Sequence, residues 1–333
     1  MKAFIIDRYK PKGGMRQAEM PEPKQGADDV LVQVYAAGVN LLDSKIENGE
    51  FKAMLRYKFP LIMGHDVAGV VAKVGARVKK FKVGDEVYAR PADYRIGAFA
   101  EFIAIKESDV AIKPTSISME EAASIPLVGL TAWQALIEKG NLKKGQRVFI
   151  QAGSGGVGTI AIQLAKHLGA TVATTTSAAN ATLVKSLGAD VVIDYKKEDF
   201  TKILTDYDLV INSQDAKTLE KSLSVVKPGG KVISISGPPD PQFAKEAGLN
   251  GILKAVMFLL SSGIRKKAKR LGVKYSFLFM RAEGGQLGKI TDLINSGAIR
   301  PVVDKVFPFD EANEALTYVE SSRAKGKVVL KIK

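Results

Sequence analysis

The sequence predicts a mixed α/β protein in which a β-rich part precedes a doubly wound parallel sheet. Three observations predict it. Short apolar runs broken by Gly and Pro fill the first part of the chain, which suits irregular β structure. After Pro126 the rhythm becomes strand, glycine turn, helix, strand, the pattern of parallel strands joined by helical crossovers. Past Pro301 strand-like and helical runs alternate once more, and this tail is expected to rejoin the first part.

The early strands are read at Val30 to Tyr35, Val67 to Val74, Glu86 to Tyr88 and Ala98 to Ile105. The second part opens with Arg147-Val148-Phe149-Ile150-Gln151, a glycine turn, a helix over Thr159 to Leu168, and the strand Ala170 to Thr174. A helix over Ala181 to Leu187 leads to Val191-Val192-Ile193, and Leu209-Val210-Ile211 follows. A helix over Lys217 to Val225 and the strand Lys231 to Ile235, after Gly229-Gly230, bring the count to five parallel strands. The tail reads as a strand over Val302 to Val306, a helix over Glu311 to Glu320 and a strand over Gly326 to Leu330.

With 333 residues, 46% hydrophobic and 25% charged, the chain has ample material for buried cores and is neither disordered nor collagen-like. It has no Cys, which excludes a disulfide framework, a thiolate metal site and a catalytic cysteine. The start, Met1 to Arg8, turns charged at Asp7 and Arg8 with no cleavage site after it, so it is not read as a secretory signal. The longest strongly apolar stretch, Ala255 to Leu260, is six residues, against the roughly 20 that a spanning helix needs. A cytoplasmic location is the expectation. The 49 Lys and Arg against 35 Asp and Glu leave a net charge of +14, which suits an anionic partner without choosing one.

Gly153-Ser154-Gly155-Gly156-Val157-Gly158 fits G-x-G-x-x-G and lies where the chemistry requires, after a strand and before a helix. The first glycine serves the tight turn, the second lets the backbone approach a pyrophosphate, and the third lets helix and strand pack closely. The helix N-terminus then offers free N–H donors to the phosphates. A site for NAD places Asp or Glu about 20 residues on, at the end of the second strand. Here that stretch is Thr174-Thr175-Thr176-Ser177-Ala178-Ala179-Asn180, with no acid before Asp190. An uncharged, hydroxyl-rich strand end does not repel a 2′-phosphate, so NADPH is favoured over NADH, with Thr176 and Ser177 as candidate contacts. Tyr195 is a candidate at the adenosine end. Asn212-Ser213 and Ser236-Gly237 follow strands whose carboxyl ends face the ligand side of such sheets.

Several ordered segments together resemble the medium-chain dehydrogenase/reductase superfamily, in particular its zinc-free quinone oxidoreductase and enone reductase branch. They are Gly38-Val39-Asn40-Leu41-Leu42-Asp43, Pro60 to Val71 around Gly64-His65-Asp66, Val83-Gly84-Asp85-Glu86-Val87, Gly97 to Phe102, Leu130-Thr131-Ala132-Trp133, the glycine loop and Gly188-Ala189-Asp190. The resemblance spans nearly the whole chain. It implies a GroES-like catalytic domain from residues 1–124 and 295–333, a Rossmann cofactor domain over 125–294, and an active site in the cleft. It also implies hydride transfer from NADPH to a quinone or an α,β-unsaturated carbonyl. Zinc-dependent relatives carry Cys at the place of Asn40 and His at the place of His65, so this chain keeps one ligand of a cage it lacks, and no metal is expected. His65 is read as structural or hydrogen-bonding, and His167 as a residue of the helix surface.

Position within the family assigns Asn40 to the nicotinamide and its ribose, Thr131 to the start of a helix facing the ring, and Lys327 to the nicotinamide ribose. Phe277-Leu278-Phe279 matches the strand whose backbone passes the carboxamide. Tyr57 falls near a substrate-cleft tyrosine, and with Asn40 it forms the candidate catalytic pair. An ordinary phenol, with a pKa of about 10, donates at neutral pH without tuning. Ser234 to Pro239 offers a candidate homodimer interface, dimers being common in the branch.

Between Ala247 and Ala282 there is no acidic residue, while Lys254, Arg265, Lys266, Lys267, Lys269, Arg270, Lys274 and Arg281 all fall there. The favoured reading is a helix that buries its apolar face and solvates its basic end, ahead of contact with a membrane surface. Nucleic acid is not expected, since no binding module or aromatic stacking pattern accompanies the charge. Two alternatives to the reductase stay open: a catalytically weak NADPH-binding structural or membrane-surface protein of the same fold, and an alcohol-oxidising enzyme with an unusual metal.

Overall fold

A computed structural model describes residues 1–333. The chain divides into two compact units, Met1–Leu130 with Arg281–Lys333, and Thr131–Met280.

The first unit is built on Asp29–Val39, an eleven-residue strand buried along most of its length. Strands buried on both faces read as near-continuous apolar runs, and Val30-Leu31-Val32 and Ala36-Ala37 fit that. Asp66–Val74 and Phe102–Lys106 both pair with it antiparallel, and Glu86–Ala89 and Val110–Ile112 extend the sheet beyond Asp66–Val74. On the other side Lys327–Lys331 pairs antiparallel with its end, Val328 opposite Val39, and Val303–Pro308 runs parallel to Lys327–Lys331. The tail therefore shares a sheet with the N-terminal strands. Phe4, Val32, Val67, Phe99, Ile105, Phe309 and Leu330 meet in the core beneath it.

The second unit holds six parallel strands in the spatial order Val191–Asp194, Thr171–Thr176, Arg147–Ile150, Tyr207–Asn212, Val226–Ser234, Lys274–Phe277. Numbered along the chain this is 3-2-1-4-5-6, the dinucleotide-binding order, and its switch point lies between Arg147–Ile150 and Tyr207–Asn212. Phe149, Phe200, Tyr207, Val210 and Val232 form its core.

Several sequence expectations need correction. The sheet has six strands rather than five. The fifth begins at Val226, because Val226 pairs with Tyr207 ahead of the irregularity around Pro228-Gly229-Gly230. The preceding helix accordingly stops at Leu223. Residues 98–101 lie outside the strand Phe102–Lys106, with Ala100 bridged to Ala3. Thr131 is not at a helix start but inside the helix Pro126–Trp133. The helix Gly251–Leu260 does not bury its apolar face, since Met257 is its one fully buried residue.

Candidate functional site

In the second unit the strand Arg147–Ile150 leaves its sheet through Gln151 and Ala152, and Ala152 takes a positive φ of 51° to start the glycine turn. The turn is tied to the neighbouring strand: Gly153 N donates to Thr175 O at 2.9 Å, and Ala152 N to Thr175 Oγ1 at 3.2 Å. The glycines divide into two kinds. A Cβ on Gly153 would lie 2.1 Å from Thr174 Oγ1, and one on Gly158 would lie 2.3 Å from Ala152 O, so both are required by packing. A Cβ on Gly155 would meet only Ala152 O, at 3.3 Å. Gly155 is also the N-cap of the helix Gly156–His167 and supplies no side-chain acceptor to it. Apart from that one close contact, the room beside Gly155 meets uncapped N–H donors at the positive end of a helix dipole, and these residues fit a dinucleotide's pyrophosphate.

Ser154 is a hub between the glycine turn and the neighbouring strand end. Thr176 Oγ1 donates to Ser154 Oγ at 2.9 Å and Asn180 Nδ2 donates to it at 3.2 Å. Thr174, Thr175 and Thr176 are buried, whereas Ser177 is half-buried. The register sets Asp194 beside Thr176, a carboxylate that the sequence reading missed because it belongs to the next strand. Asp194 Oδ1 accepts from Lys196 N at 3.1 Å. Tyr195 stands exposed, its N–H bonded to Thr176 O.

At the switch point Asn212 is fully buried and fully engaged. Its Nδ2 donates to Gln151 Oε1 at 2.7 Å, and its Oδ1 accepts from Ser234 Oγ at 2.5 Å and Ser236 Oγ at 3.4 Å. Gln151 Nε2 in turn donates to Ser222 Oγ at 2.6 Å. Ser213 is half-buried, Ser236 is exposed, and Gly237 N donates to Ser234 Oγ at 2.8 Å. Asp240, which caps Pro241–Glu246, accepts from Phe277 N at 3.0 Å, and Phe243 packs edge-on against Phe277 and tilted against Phe279. Gln151, Ser222 and Asp240 carried no motif, and only the fold reveals their part.

In the first unit a buried polar network gathers around Asn40, the N-cap of Leu41–Glu47. Asn40 Nδ2 donates to Asp66 Oδ2 at 3.0 Å and to Gly38 O at 3.3 Å. Lys327 Nζ donates to Asn40 Oδ1, to Val39 O at 3.1 Å and to Asp66 Oδ2 at 3.2 Å. Asp66 Oδ1 accepts from Leu127 N at 2.7 Å. The three ammonium donors of Lys327 are matched by three protein oxygens. Beside this network His65 Nδ1 pairs with Asp43 Oδ1 at 2.6 Å, and the buried His65 Nε2 has no partner. His167, by contrast, is exposed.

Also in the first unit, Tyr57 lines a concavity of about 500 Å³ with Tyr9, Lys52, Ala53 and Arg56. Tyr57 N donates to Tyr9 Oη at 3.2 Å, and its ring tilts against Tyr94. The phenol oxygen is buried without a hydrogen-bond partner. Burial, followed by the nearby Asp93 carboxylate, pushes its pKa well above the ordinary phenol value. The untuned phenol expected from sequence is therefore corrected: Tyr57 is a weaker acid than a free tyrosine.

No group of three or more His, Cys, Asp or Glu is placed to hold a metal ion. With no Cys in the chain and no further ligand grouped with His65, the residues present do not fit a catalytic zinc cage.

Two family models match, the alcohol dehydrogenase GroES-like domain over residues 26–115 and the zinc-binding dehydrogenase over 187–330. The NAD(P)H oxidoreductase RTN4IP1, mitochondrial, of Danio rerio is 36% identical over all of this chain and 91% of its own length. The chain belongs to the medium-chain dehydrogenase/reductase superfamily. It is an oxidoreductase of that superfamily, built for a nicotinamide cofactor. The NADPH-dependent alkenal/one oxidoreductase, chloroplastic, of Arabidopsis thaliana is 35% identical over 99% of this chain and 79% of its own. Among solved structures, the quinone oxidoreductase from Coxiella burnetii superposes with a TM-score of 0.87 at 29% identity, covering 100% of this chain and 99% of that one.

These relatives correct the expected cytoplasmic location, since they are named mitochondrial or chloroplastic. Reading Met1 to Arg8 as other than a secretory signal has no bearing on the choice between the cytosol and an organelle.

Proposed function

We propose that this superfamily member uses NADPH to reduce quinones, or the β-carbon of α,β-unsaturated carbonyls, and polarises the substrate oxygen with its own hydrogen-bond donors. The observation that carries the reading is the open, uncapped helix start at Gly155, set beside a strand end whose side chains are neutral hydroxyls. Bound NADPH supplies a hydride. The backbone of Gly153 to Val157 holds the pyrophosphate, and Thr176, Ser177 and Tyr195 frame the adenosine ribose. Ser213, Ser236 and Gly237 border the same sheet edge, while Asn212 acts from behind by fixing Ser234 and Ser236.

Asn40 and Lys327 act as one preorganised unit. Each holds the other's polar group, and Asp66 holds both, so their orientation is set before any ligand arrives. Burial favours the protonated form of Tyr57, and its unpartnered O–H donates a hydrogen bond to the substrate carbonyl. The proton that completes the reduction is drawn from solvent, directly or through the exchangeable Tyr57 hydroxyl. Thr131, Phe277 and Phe279 complete the proposed cofactor contacts.

The test is optical: oxidation of NADPH and NADH against para-quinones, open-chain enones and simple aldehydes, with and without chelator. The reading expects chelator-resistant turnover of quinones or enones with NADPH. Tight NADPH binding without turnover of any of these overturns it and favours the structural protein.

A further inference from the structure

We propose that the helix Gly251–Leu260 is a docking element for an anionic phospholipid surface. Ile252 is 78% exposed, Leu259 68%, Leu260 60%, Phe258 52% and Val256 40%, a concentration of bare apolar side chains within ten residues. Ile252, Val256, Leu259 and Leu260 follow the i, i+4, i+7, i+8 spacing that places residues on one face of a helix. Leu253 and Met257, one turn apart, are the residues that face the protein. The helix is firmly formed, with Asn250 Oδ1 accepting from Leu253 N at 2.9 Å to cap its start.

A basic helix follows at once. Ser262–Arg270 is separated by Ser261 alone, and Arg265 ties the two together by donating to Phe258 O at 2.9 Å while stacking 4.4 Å over the Phe258 ring. Lys254, Lys266, Lys269 and Arg270 are exposed, and no acidic residue lies between Ala247 and Ala282. Lys267 of the basic helix pairs with Glu220 at 2.6 Å, and the bare apolar side chains beside the remaining exposed cations complement a surface with an apolar interior and anionic headgroups. Ten residues of helix extend about 15 Å, half of the roughly 30 Å hydrocarbon core, so the element lies on the surface and does not cross it.

The proposal is independent of the reaction, and sedimentation of the full chain with vesicles tests it. Binding is expected to vesicles of phosphatidylcholine with phosphatidylglycerol and not to phosphatidylcholine alone. The exposed double variant I252S/L259S should lower the ratio of bound to free protein by about tenfold or more, because two side chains forfeit their transfer from water. Its thermal midpoint should match that of the unaltered chain, as neither residue packs in the core. A second pair, K266Q/K269Q, should weaken binding and flatten its salt dependence. No sedimentation with either vesicle, equal binding to both, or undiminished binding of I252S/L259S overturns the proposal. Concentration-dependent dimerisation that I252S/L259S abolishes, without vesicle binding, assigns the face to a second copy and overturns it too.

Discussion

Replacing Lys327 with Met should destabilise the unit made of Met1–Leu130 and Arg281–Lys333 more than any loss of cofactor contact would suggest. Lys327 is buried, and its ammonium meets Val39 O, Asn40 Oδ1 and Asp66 Oδ2. Methionine fills similar space but leaves Asp66 charged and without its cation, and strips a donor from two further oxygens. Breaking a buried pair by removing one partner costs about 3–5 kcal/mol, a large share of the roughly 5–15 kcal/mol that holds a domain together. Asp66→Asn removes the stranded charge, so Lys327→Met with Asp66→Asn should lose less than the sum of the single variants, by about 1 kcal/mol or more. Urea unfolding followed by far-ultraviolet circular dichroism is the assay. The single tryptophan, Trp133, lies in the other unit and is a poor probe of this change. A Lys327→Met loss under about 1 kcal/mol, or strictly additive variants, would refute the view that the pair is a mutually dependent buried unit.

Gly155→Val should weaken NADPH binding by about tenfold or more, roughly 1.4 kcal/mol, with a smaller fall in melting temperature than Gly158→Val, because a Cβ there makes a single close contact, 3.3 Å from Ala152 O. Gly158→Val should instead impair folding, its Cβ being driven into Ala152 O; calorimetry on both variants separates the effects. Ser177→Asp should lower the ratio of kcat/KM for NADPH to that for NADH by about tenfold. It is a cleaner site than Thr175 or Thr176, whose hydroxyls are buried in bonds to the loop; an unmoved ratio would misplace the ribose pocket. Asp29 lies below the ordinary carboxylate range because Arg95 pairs with both of its oxygens, against the opposing effect of burial. Its folded pKa being depressed, its contribution is present above about pH 4 and is lost as pH falls through the lowered value. Arg95→Met should flatten that part of the stability profile, as measured by urea titrations stepped through acid pH.

The parallel sheet was legible because its signal is local. Strand, glycine turn and helix fall within a few dozen residues, and the apolar period shows where each begins. The paired glycines Gly229-Gly230 misled in the same local way: they read as a turn before a strand, whereas the strand starts at Val226 and passes through them. The network of Asn40, Asp66 and Lys327 was not legible as a network, since Lys327 lies 287 positions from Asn40 and no periodicity records a hydrogen bond across that gap. Asp194 escaped for a related reason, as its place beside Thr176 is set by strand register. The Gly251–Leu260 helix shows the limit of composition: its apolar residues suggested a buried face, and only the fold decides which side has a partner.

Direct hydride transfer is the central claim, and isotope tracing tests it most directly. NADPH carrying deuterium on the transferred position would be oxidised by this protein in the presence of an open-chain enone, and the product examined by NMR. Deuterium at the β-carbon, with the α-position filled from solvent, is the predicted result. Deuterium absent from the product, or a β-carbon labelled only when the solvent is heavy water, would contradict it.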